Sequence, residues 1–256
     1  MTINQAFDIL KKAGDVRAAK IITDNVKHLP WWRVYFFAHQ LRRGMPVAKI
    51  IHQKWFYGIP FYTNKHTLDP RPDTETLVAA VISDNAPTPR ILDLGTGTGC
   101  IITALVKNIY GASGVGVDIS RGAIHVAKRN IKNQGLTNRI KIIRGSFANK
   151  NLTQEKFDVI VSNPPYIAYG DKRVDTGAMH DPKRALYANN NGLAAYEQIA
   201  TNAKDWIKPG GKIYLEIGVG QKTAVKKIFT SNGWKFVRDE SDLGGIVRVL
   251  IFTLNT

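Results

Sequence analysis

A single cysteine, Cys100, stands among 256 residues. No internal disulfide can form, and a reducing compartment such as the cytoplasm is the expected location. Its position directly after a glycine turn invites a nucleophilic reading, but a small buried packing residue is preferred. The six histidines are scattered singly, with no Cys/His cluster and no His-Glu-x-x-His, so no metal is expected. No apolar run approaches the length of a membrane span, and Asp8, Lys11 and Lys12 interrupt the amino terminus where a signal peptide would be apolar. No membrane partner is expected. Acids are scarce: 20 Asp and Glu face 36 Lys and Arg, for a net charge of +16. Such an excess favours nucleic acid or a ribonucleoprotein, and a solvated surface in a basic proteome explains it equally well. The bases are not interleaved with aromatics in any compact block, which argues against a dedicated nucleic-acid groove. Weak ribosome or RNA association is as much as the charge supports. The length fits one main domain with a small amino-terminal appendage, expected to be monomeric.

What is present begins with Asn163-Pro164-Pro165-Tyr166. The preceding residues, Phe157 to Ser162, are mostly apolar, β-branched or aromatic and predict a buried strand. Two prolines then stop the ladder, presenting a carboxamide and an aromatic ring at the strand's carboxyl end. In open α/β sheets ligands bind there. A strand-ending turn capped by an asparagine is the plainer reading, and a second motif weighs against it. Arg90 to Leu94 form an apolar strand that runs into Gly95, Gly97 and Gly99, and then into an apolar helix. Glycines at such a turn let backbone amides approach a ligand closely. The spacing is Gly-x-Gly-x-Gly, a weak pyrophosphate cradle. Some twenty residues on, a second strand ends at Asp118, whose carboxylate can accept from both hydroxyls of a ribose. A glycine turn and a ribose acid without a phosphate-binding lysine suit a nucleoside, and the cofactor suggested is S-adenosylmethionine.

These segments together resemble the class I S-adenosylmethionine-dependent methyltransferases, whose Asn-Pro-Pro-Tyr version belongs to enzymes that methylate planar amide or amine nitrogens. Leu68-Asp69-Pro70-Arg71-Pro72-Asp73-Thr74-Glu75 narrows the resemblance. So do Leu215-Glu216-Ile217-Gly218 followed by Gln221, and Asp242-Leu243-Gly244-Gly245 followed by Arg248. The chain over residues 42–254 is similar to the protein-(glutamine-N5) methyltransferases that modify peptide chain release factors. It departs from them in having Asp69 for a usual isoleucine, Asp181-Pro182 for a usual Glu-Pro, and a shortened amino-terminal bundle. Those departures bear on the docking of a protein substrate and not on the chemistry.

The resemblance implies an α/β fold: a seven-stranded Rossmann-like sheet with helices on both faces, preceded by a small helical domain and a β-hairpin linker. Residues 1–48 are expected to form a helical substrate-docking domain, 49–75 the hairpin linker, and 76–256 the methyltransferase domain. The patterning places strands at 90–95, 114–119, 139–144, 157–162, 212–217, 234–238 and 246–253. It places helices at 99–109, 120–134, 191–207 and 221–231. Lys208-Pro209-Gly210-Gly211 reads as a turn, as does Gly58-Ile59-Pro60, and the last two strands as an antiparallel hairpin. Two amphipathic helices broken at Gly14-Asp15 fill residues 4–27. The aromatic run from Trp31 to Phe37 reads as core of the appendage in preference to a partner-gripping surface.

Expected cofactor contacts are Asp93, Leu94, Gly95, Thr96, Gly97, Asp118, Phe147 and Asn163. Asp93 is expected to take the cofactor's amino group, directly or through water, with a turn carboxylate as the alternative. The resemblance puts an adenine contact at Ser146-Phe147, and core filling suits Phe147 nearly as well. Asn163, Pro164 and Tyr166 are the expected catalytic residues. The Asn163 side-chain oxygen and the Pro164 carbonyl would accept from the substrate amide as positive charge develops on its nitrogen, and Tyr166 would wall the planar amide. Asn163, Pro164, Pro165 and Tyr166 with Arg71 and Glu75 make the substrate side; for the last two, an interdomain ion pair is an equal reading. The resemblance implies methylation of the glutamine in the Gly-Gly-Gln loop of class I release factors. A ribosomal-protein glutamine, or a nucleic-acid adenine N6 or guanine N2, are the alternatives.

Overall fold

Gly14 and Asp15 divide the first apolar stretch into α1 (Ile3–Ala13) and α2 (Val16–Asn25). Thr2 and Gln5 close a reciprocal capping box on α1, and Asp15 caps α2 by accepting from the Ala18 N–H. Helix α3 (Trp31–Arg42) and the short α4 (Val47–Ile51) follow. Leu10, Ile22, Val34, Phe37 and Ile50 give these helices a core of their own. The computed structural model describes residues 1–84, 87–171 and 176–254.

The aromatic run does not pack as expected. Val34, Phe37 and Ala38 face inward, whereas Trp31, Trp32, Tyr35 and Phe36 are each more than half exposed. A helix turns about 100° per residue, so consecutive apolar side chains cannot share one buried face. Only the i, i+3, i+4 set reaches the core.

A hairpin of β1 (Gln53–Phe56) and β2 (Ile59–Tyr62) leads out of the helices. Its turn lies on Tyr57 and Gly58, with φ of 50° and 71°, one residue earlier than the sequence suggested. Two left-handed residues match the natural twist of a tight hairpin. The chain then passes through α5 (Glu75–Ser83), β3 (Arg90–Leu94), α6 (Cys100–Asn108), β4 (Ser113–Asp118), α7 (Arg121–Asn133), β5 (Ile140–Arg144) and β6 (Phe157–Ser162). An insert carries β7 (Ile167–Ala168), α8 (Lys183–Leu186), β8 (Tyr187–Ala188) and the one-turn α9 (Asn189–Gly192). Last come α10 (Ala194–Asn202), β9 (Ile207–Glu216), α11 (Lys222–Ser231), β10 (Trp234–Ser241) and β11 (Val247–Leu254).

Seven strands form one sheet in the order β10-β11-β9-β6-β3-β4-β5. Strands β9, β6, β3, β4 and β5 run parallel, and β11 is antiparallel to both its neighbours, giving the terminal hairpin. Alternate residues serve opposite layers. Ile91, Val159 and Val161 pack with residues of α5, α6 and α7, while Leu92, Leu94 and Ile160 pack with residues of α10 and α11. The fold is the α/β architecture that the resemblance implied.

Two local expectations are corrected. Helix α10 spans only Ala194–Asn202, and Lys208 to Gly211 lie inside β9. There the register jumps from Phe157–Ile207 to Val159–Lys212, so residues 208–211 bulge opposite Asp158, with Gly210 at φ 75°. The Pro-Gly signal marked a bulge within a strand instead of the strand's beginning.

Asp84, at the end of α5, ties the helix to the sheet. Lys212 and Tyr214 donate to its Oδ2 at 2.8 and 2.5 Å, and Arg238 to its Oδ1 at 2.7 Å. Burial alone would raise its pKa; the Arg238, Lys212 and Tyr214 hydrogen bonds outweigh it and bring the carboxyl down to about 2. A folded-state value below the unfolded one stabilises the protein above the unfolded pKa, and that contribution is lost as pH falls toward the folded value. Asp84→Asn is therefore expected to cost about 1–2 kcal/mol at pH 7, after allowance for solvent screening. The gap from wild type should close between about pH 4 and pH 2, as read by urea unfolding.

Candidate active site

The chain reverses its direction of growth between β3 and β6: β4 and β5 lie on one side of β3, β6 and β9 on the other. Ligands collect at the carboxyl ends of strands flanking such a switch point. The register pairs Leu94 with Ser162 and Ser162 with Leu215. Gly95 and Asn163 therefore leave the sheet side by side, next to Glu216 at the end of β9.

A cavity of about 290 Å³ opens over this edge, walled by Gly95, Gly97, Asp118, Phe147, Asn163 and Pro165 among others. Gly95 and Gly97 have φ of 76° and 53°, and nothing lies within 4 Å of the place a Gly95 side chain would fill. Asp118 accepts from the Gly97 N–H at 3.0 Å and the Ser120 N–H at 2.8 Å. Burial pushes its pKa up, and those two amides pull against the shift. Each oxygen keeps lone-pair capacity for a ligand hydroxyl. Asp93 is not on the wall. It is fully buried beneath the turn, takes a hydrogen bond from Thr96 Oγ1 at 2.6 Å on Oδ2, and among the described residues has no partner on Oδ1. Burial pushes it up to about 7 despite the Thr96 bond. Leu94 and Thr96 also stand behind the wall, the Leu94 carbonyl accepting from Ser162 Oγ at 2.8 Å. Burial pushes the Cys100 thiol up to about 12, in keeping with a packing residue. A mainly apolar cleft with a glycine turn and one ribose-reaching acid fits an adenosyl group.

A second cavity, of about 450 Å³, adjoins the first and shares Leu68, Asn163 and Ala185 with it. Its other walls include Arg71, Asp73, Tyr166, Glu216 and Arg248. Asn163 Nδ2 donates to Thr74 Oγ1 at 3.0 Å, which fixes the carboxamide, and no described residue donates to its Oδ1. The Tyr166 hydroxyl lies 3.4 Å from Glu216 Oε1, and the Tyr166 carbonyl accepts from Gln221 Nε2 at 2.9 Å. Gln221 Oε1 in turn accepts from the Gly218 N–H at 3.0 Å. Gly192, at φ 84°, lies so close that any Cβ would collide with the Tyr166 carbonyl oxygen. Pro165 lines the first cavity, and Pro164 is buried between the two without lining either. Gln221→Ala removes a bond that sets the position of Tyr166. Turnover is expected to fall roughly 5–10-fold, the equivalent of one hydrogen bond, with cofactor affinity unchanged. Single-turnover rates and calorimetry on the same sample would separate the two.

Arg71 lines the second cavity and is ion-paired as well, its Nη2 lying 3.0 Å from Asp181 Oδ2. Glu75 lines neither cavity. Its carboxylate accepts from the Tyr57 N–H at 2.8 Å, fastening the hairpin turn to α5. The two acids that depart from the family pattern meet at one buried lysine that sequence reading missed. Lys49 Nζ lies 2.8 Å from Asp69 Oδ1 and 2.9 Å from Asp181 Oδ1, and donates to the Thr67 and Asn64 carbonyls. A buried ammonium is tolerated only when paired and hydrogen-bonded to this degree. The cluster anchors α4 to the segment around Pro182 and Ala185, which forms part of both cavities. Thr74, Glu216, His66 and Arg184 are further site residues that had no assigned role in the sequence. Thr74 and Glu216 carried a signal, as members of the Leu68–Glu75 and Leu215–Gly218 segments; His66 and Arg184 carried none.

Residues 86–238, over half of the chain, match a family described as a methyltransferase domain. A methyltransferase from Pyrococcus furiosus superposes with a TM-score of 0.59 at 18% identity, covering 86% of this chain and 95% of that one, a likeness of fold. The bifunctional methyltransferase of Rickettsia felis is 41% identical over 240 residues, which are 81% of this chain and 45% of the relative. The chain thus spans less than half the length of that relative. The release factor glutamine methyltransferase of Agrobacterium fabrum is 39% identical over 233 residues, covering 86% of this chain and 78% of that protein. That of Francisella tularensis is 40% identical over 208 residues, covering 80% and 72%. With the sheet order, the paired cavities and this extent of identity, the chain belongs to the release factor glutamine methyltransferase family.

Proposed function

We propose that the protein transfers a methyl group from S-adenosylmethionine to the side-chain amide nitrogen, N5, of the glutamine in the Gly-Gly-Gln motif of class I peptide chain release factors. The observation that carries this reading is that Asn163 belongs to the walls of both cavities, one suited to an adenosyl group and one lined by polar side chains. When bound, the cofactor supplies an electrophilic methyl on a sulfonium. Gly95, Gly97, Asp118 and Phe147 would hold it, with Asp93, Leu94 and Thr96 supporting the turn. Asn163 Oδ1 and the Pro164 carbonyl accept from the substrate amide, and Tyr166 limits its rotation. Arg71 borders the substrate side, and Glu75 acts through the hairpin.

Residues 1–48 serve as the substrate-docking domain, and the four exposed aromatics of α3 support that role. Residues 49–75 form the linker and 76–256 the catalytic domain. The enzyme acts in the cytoplasm as a monomer. Among the described residues no helix is long and apolar enough to cross a membrane, and no group of acids, histidines or cysteines is arranged for a metal. A test uses labelled cofactor with purified release factor, ribosomes and RNA in separate reactions. Label in the release factor, lost when its motif glutamine is replaced, is the expected result. Label in RNA or in a ribosomal protein alone overturns the reading.

A further inference from the structure

One buried acid in the second cavity, Glu216, neither holds the cofactor nor clamps the amide. Glu216 is 2% exposed and ends β9 beside Asn163, and among the described residues its Oε2 has no hydrogen-bond partner. Its surroundings are the Tyr166 hydroxyl, Thr74, Asp73 and Arg248, with the Tyr196 hydroxyl donating at 2.8 Å to its backbone carbonyl. Arg248 makes no ion pair with it: that guanidinium is paired with Asp73 at 2.7 Å and Asp242 at 2.8 Å and acts on Glu216 only through its charge. Arg71, the other cation among the described residues of the wall, is paired with Asp181. A buried carboxylate with one unpartnered oxygen is costly unless something later satisfies it.

The reaction brings positive charge toward this acid. Methyl transfer shifts charge from the sulfonium, in the first cavity, to the amide nitrogen, in the second. Resting on the amide-methylation reading, we propose that Glu216 is the proton acceptor and counter-charge of the transfer. The amide nitrogen's electron pair forms the new N–C bond, the C–S pair stays on sulfur, and the departing N–H proton passes to Glu216 Oε2 and thence to water. Thr74 stands beside both groups: its oxygen accepts from Asn163, and its nearness to Glu216 favours the charged carboxylate. Burial, with the nearby Asp73 charge, pushes Glu216 up to about 7, against the pull of Thr74, Arg248 and Tyr166. A proton acceptor works best when its pKa lies near the working pH.

The test measures single-turnover methylation of release factor against pH, at saturating cofactor, for wild type, Glu216→Gln and Glu216→Asp. The wild-type rate should fall on acidification through pH ~7, and Glu216→Gln should be flat at the low-pH floor. At pH 8 the glutamine variant should be slower by on the order of 10-fold; the strong acidity of a methylated amide keeps the loss below that of full base catalysis. Glu216→Asp should restore part of the pH dependence. Asp93 is also pushed up to about 7, so cofactor affinity is measured over the same range, and its pH dependence should persist in Glu216→Gln. Independently of turnover, carboxyl NMR of protein labelled at glutamate should show one resonance titrating near neutrality in wild type and missing from folded Glu216→Gln. An unchanged pH profile in the glutamine variant, or no such resonance, overturns the proposal while the methylation reading stands. Absence of methylation by wild type overturns both.

Discussion

Replacing Asn163 with alanine is expected to slow methyl transfer roughly 10²–10³-fold, the loss typical of one donor or acceptor that acts mainly in a transition state. In the ground state an amide N–H gains little from Asn163 Oδ1 over water. As the nitrogen becomes cationic and tetrahedral the same contact strengthens, and a pre-oriented acceptor needs no reorganisation to exploit it. Pre-orientation is visible here: Nδ2 is held 3.0 Å from Thr74 Oγ1, and the adjoining prolines fix the backbone. Cofactor affinity should change far less, since the glycine turn and Asp118 remain. A release factor carrying asparagine in place of the motif glutamine should not be labelled, because its amide is withdrawn by one methylene from the in-line position. Single-turnover assays with both acceptors give the answer. A fully active Asn163→Ala enzyme, or equal methylation of the asparagine acceptor, would dismiss the amide clamp.

The sequence revealed the features that repeat over several residues and concealed those made by meetings across the fold. Strand β6 spans Phe157–Ser162 as read, because its apolar run and the two prolines mark both ends chemically. The break at Gly14-Asp15 was legible for the same reason: glycine and an acidic cap are local signals. Trp31 to Phe37 misled because composition was weighed without helical phase. The Lys208–Gly211 bulge misled because Pro-Gly marks a bend and does not say whether pairing continues beyond it. In the site, Gly95, Gly97, Asp118, Phe147 and Asn163 line the first cavity together, since each lies at or just beyond the carboxyl end of a strand. Asp93, Leu94 and Thr96 sit in the same motif but are buried behind the wall: Leu94 packs into one core layer, and Thr96 turns inward to donate to Asp93. Lys49 and its two aspartates, 20 and 132 residues along the chain, carry no local pattern; they meet only because α4 lies against both the segment after β2 and the insert.

Asp118→Ala is expected to weaken cofactor binding by roughly 1.5–3 kcal/mol, the range for hydrogen bonds to a charged acceptor. The carboxylate lies on the cavity wall, and the Gly97 and Ser120 amides occupy one site on each of its oxygens. Those two bonds do a second job, because they aim the carboxylate and hold the glycine turn against the end of β4. Truncation therefore removes the ribose acceptor and frees the Gly97 N–H at once. The two effects separate in Asp118→Asn, which keeps one carbonyl oxygen for an amide or a hydroxyl but loses the charge. It should fall between wild type and Asp118→Ala. Burial raises the pKa of Asp118, so the free protein gains the charge-assisted bonds only above that raised value, and affinity should decline as pH falls through it. Asp93, up near 7 beneath the same turn, adds a second ionisation to that decline, and only the part due to Asp118 should vanish in Asp118→Asn. Calorimetry with the cofactor and with adenosine alone tests the assignment, since a ribose contact must weaken both ligands alike. Unchanged affinity in a folded Asp118→Ala protein, or a loss confined to the full cofactor, would remove Asp118 from the ribose.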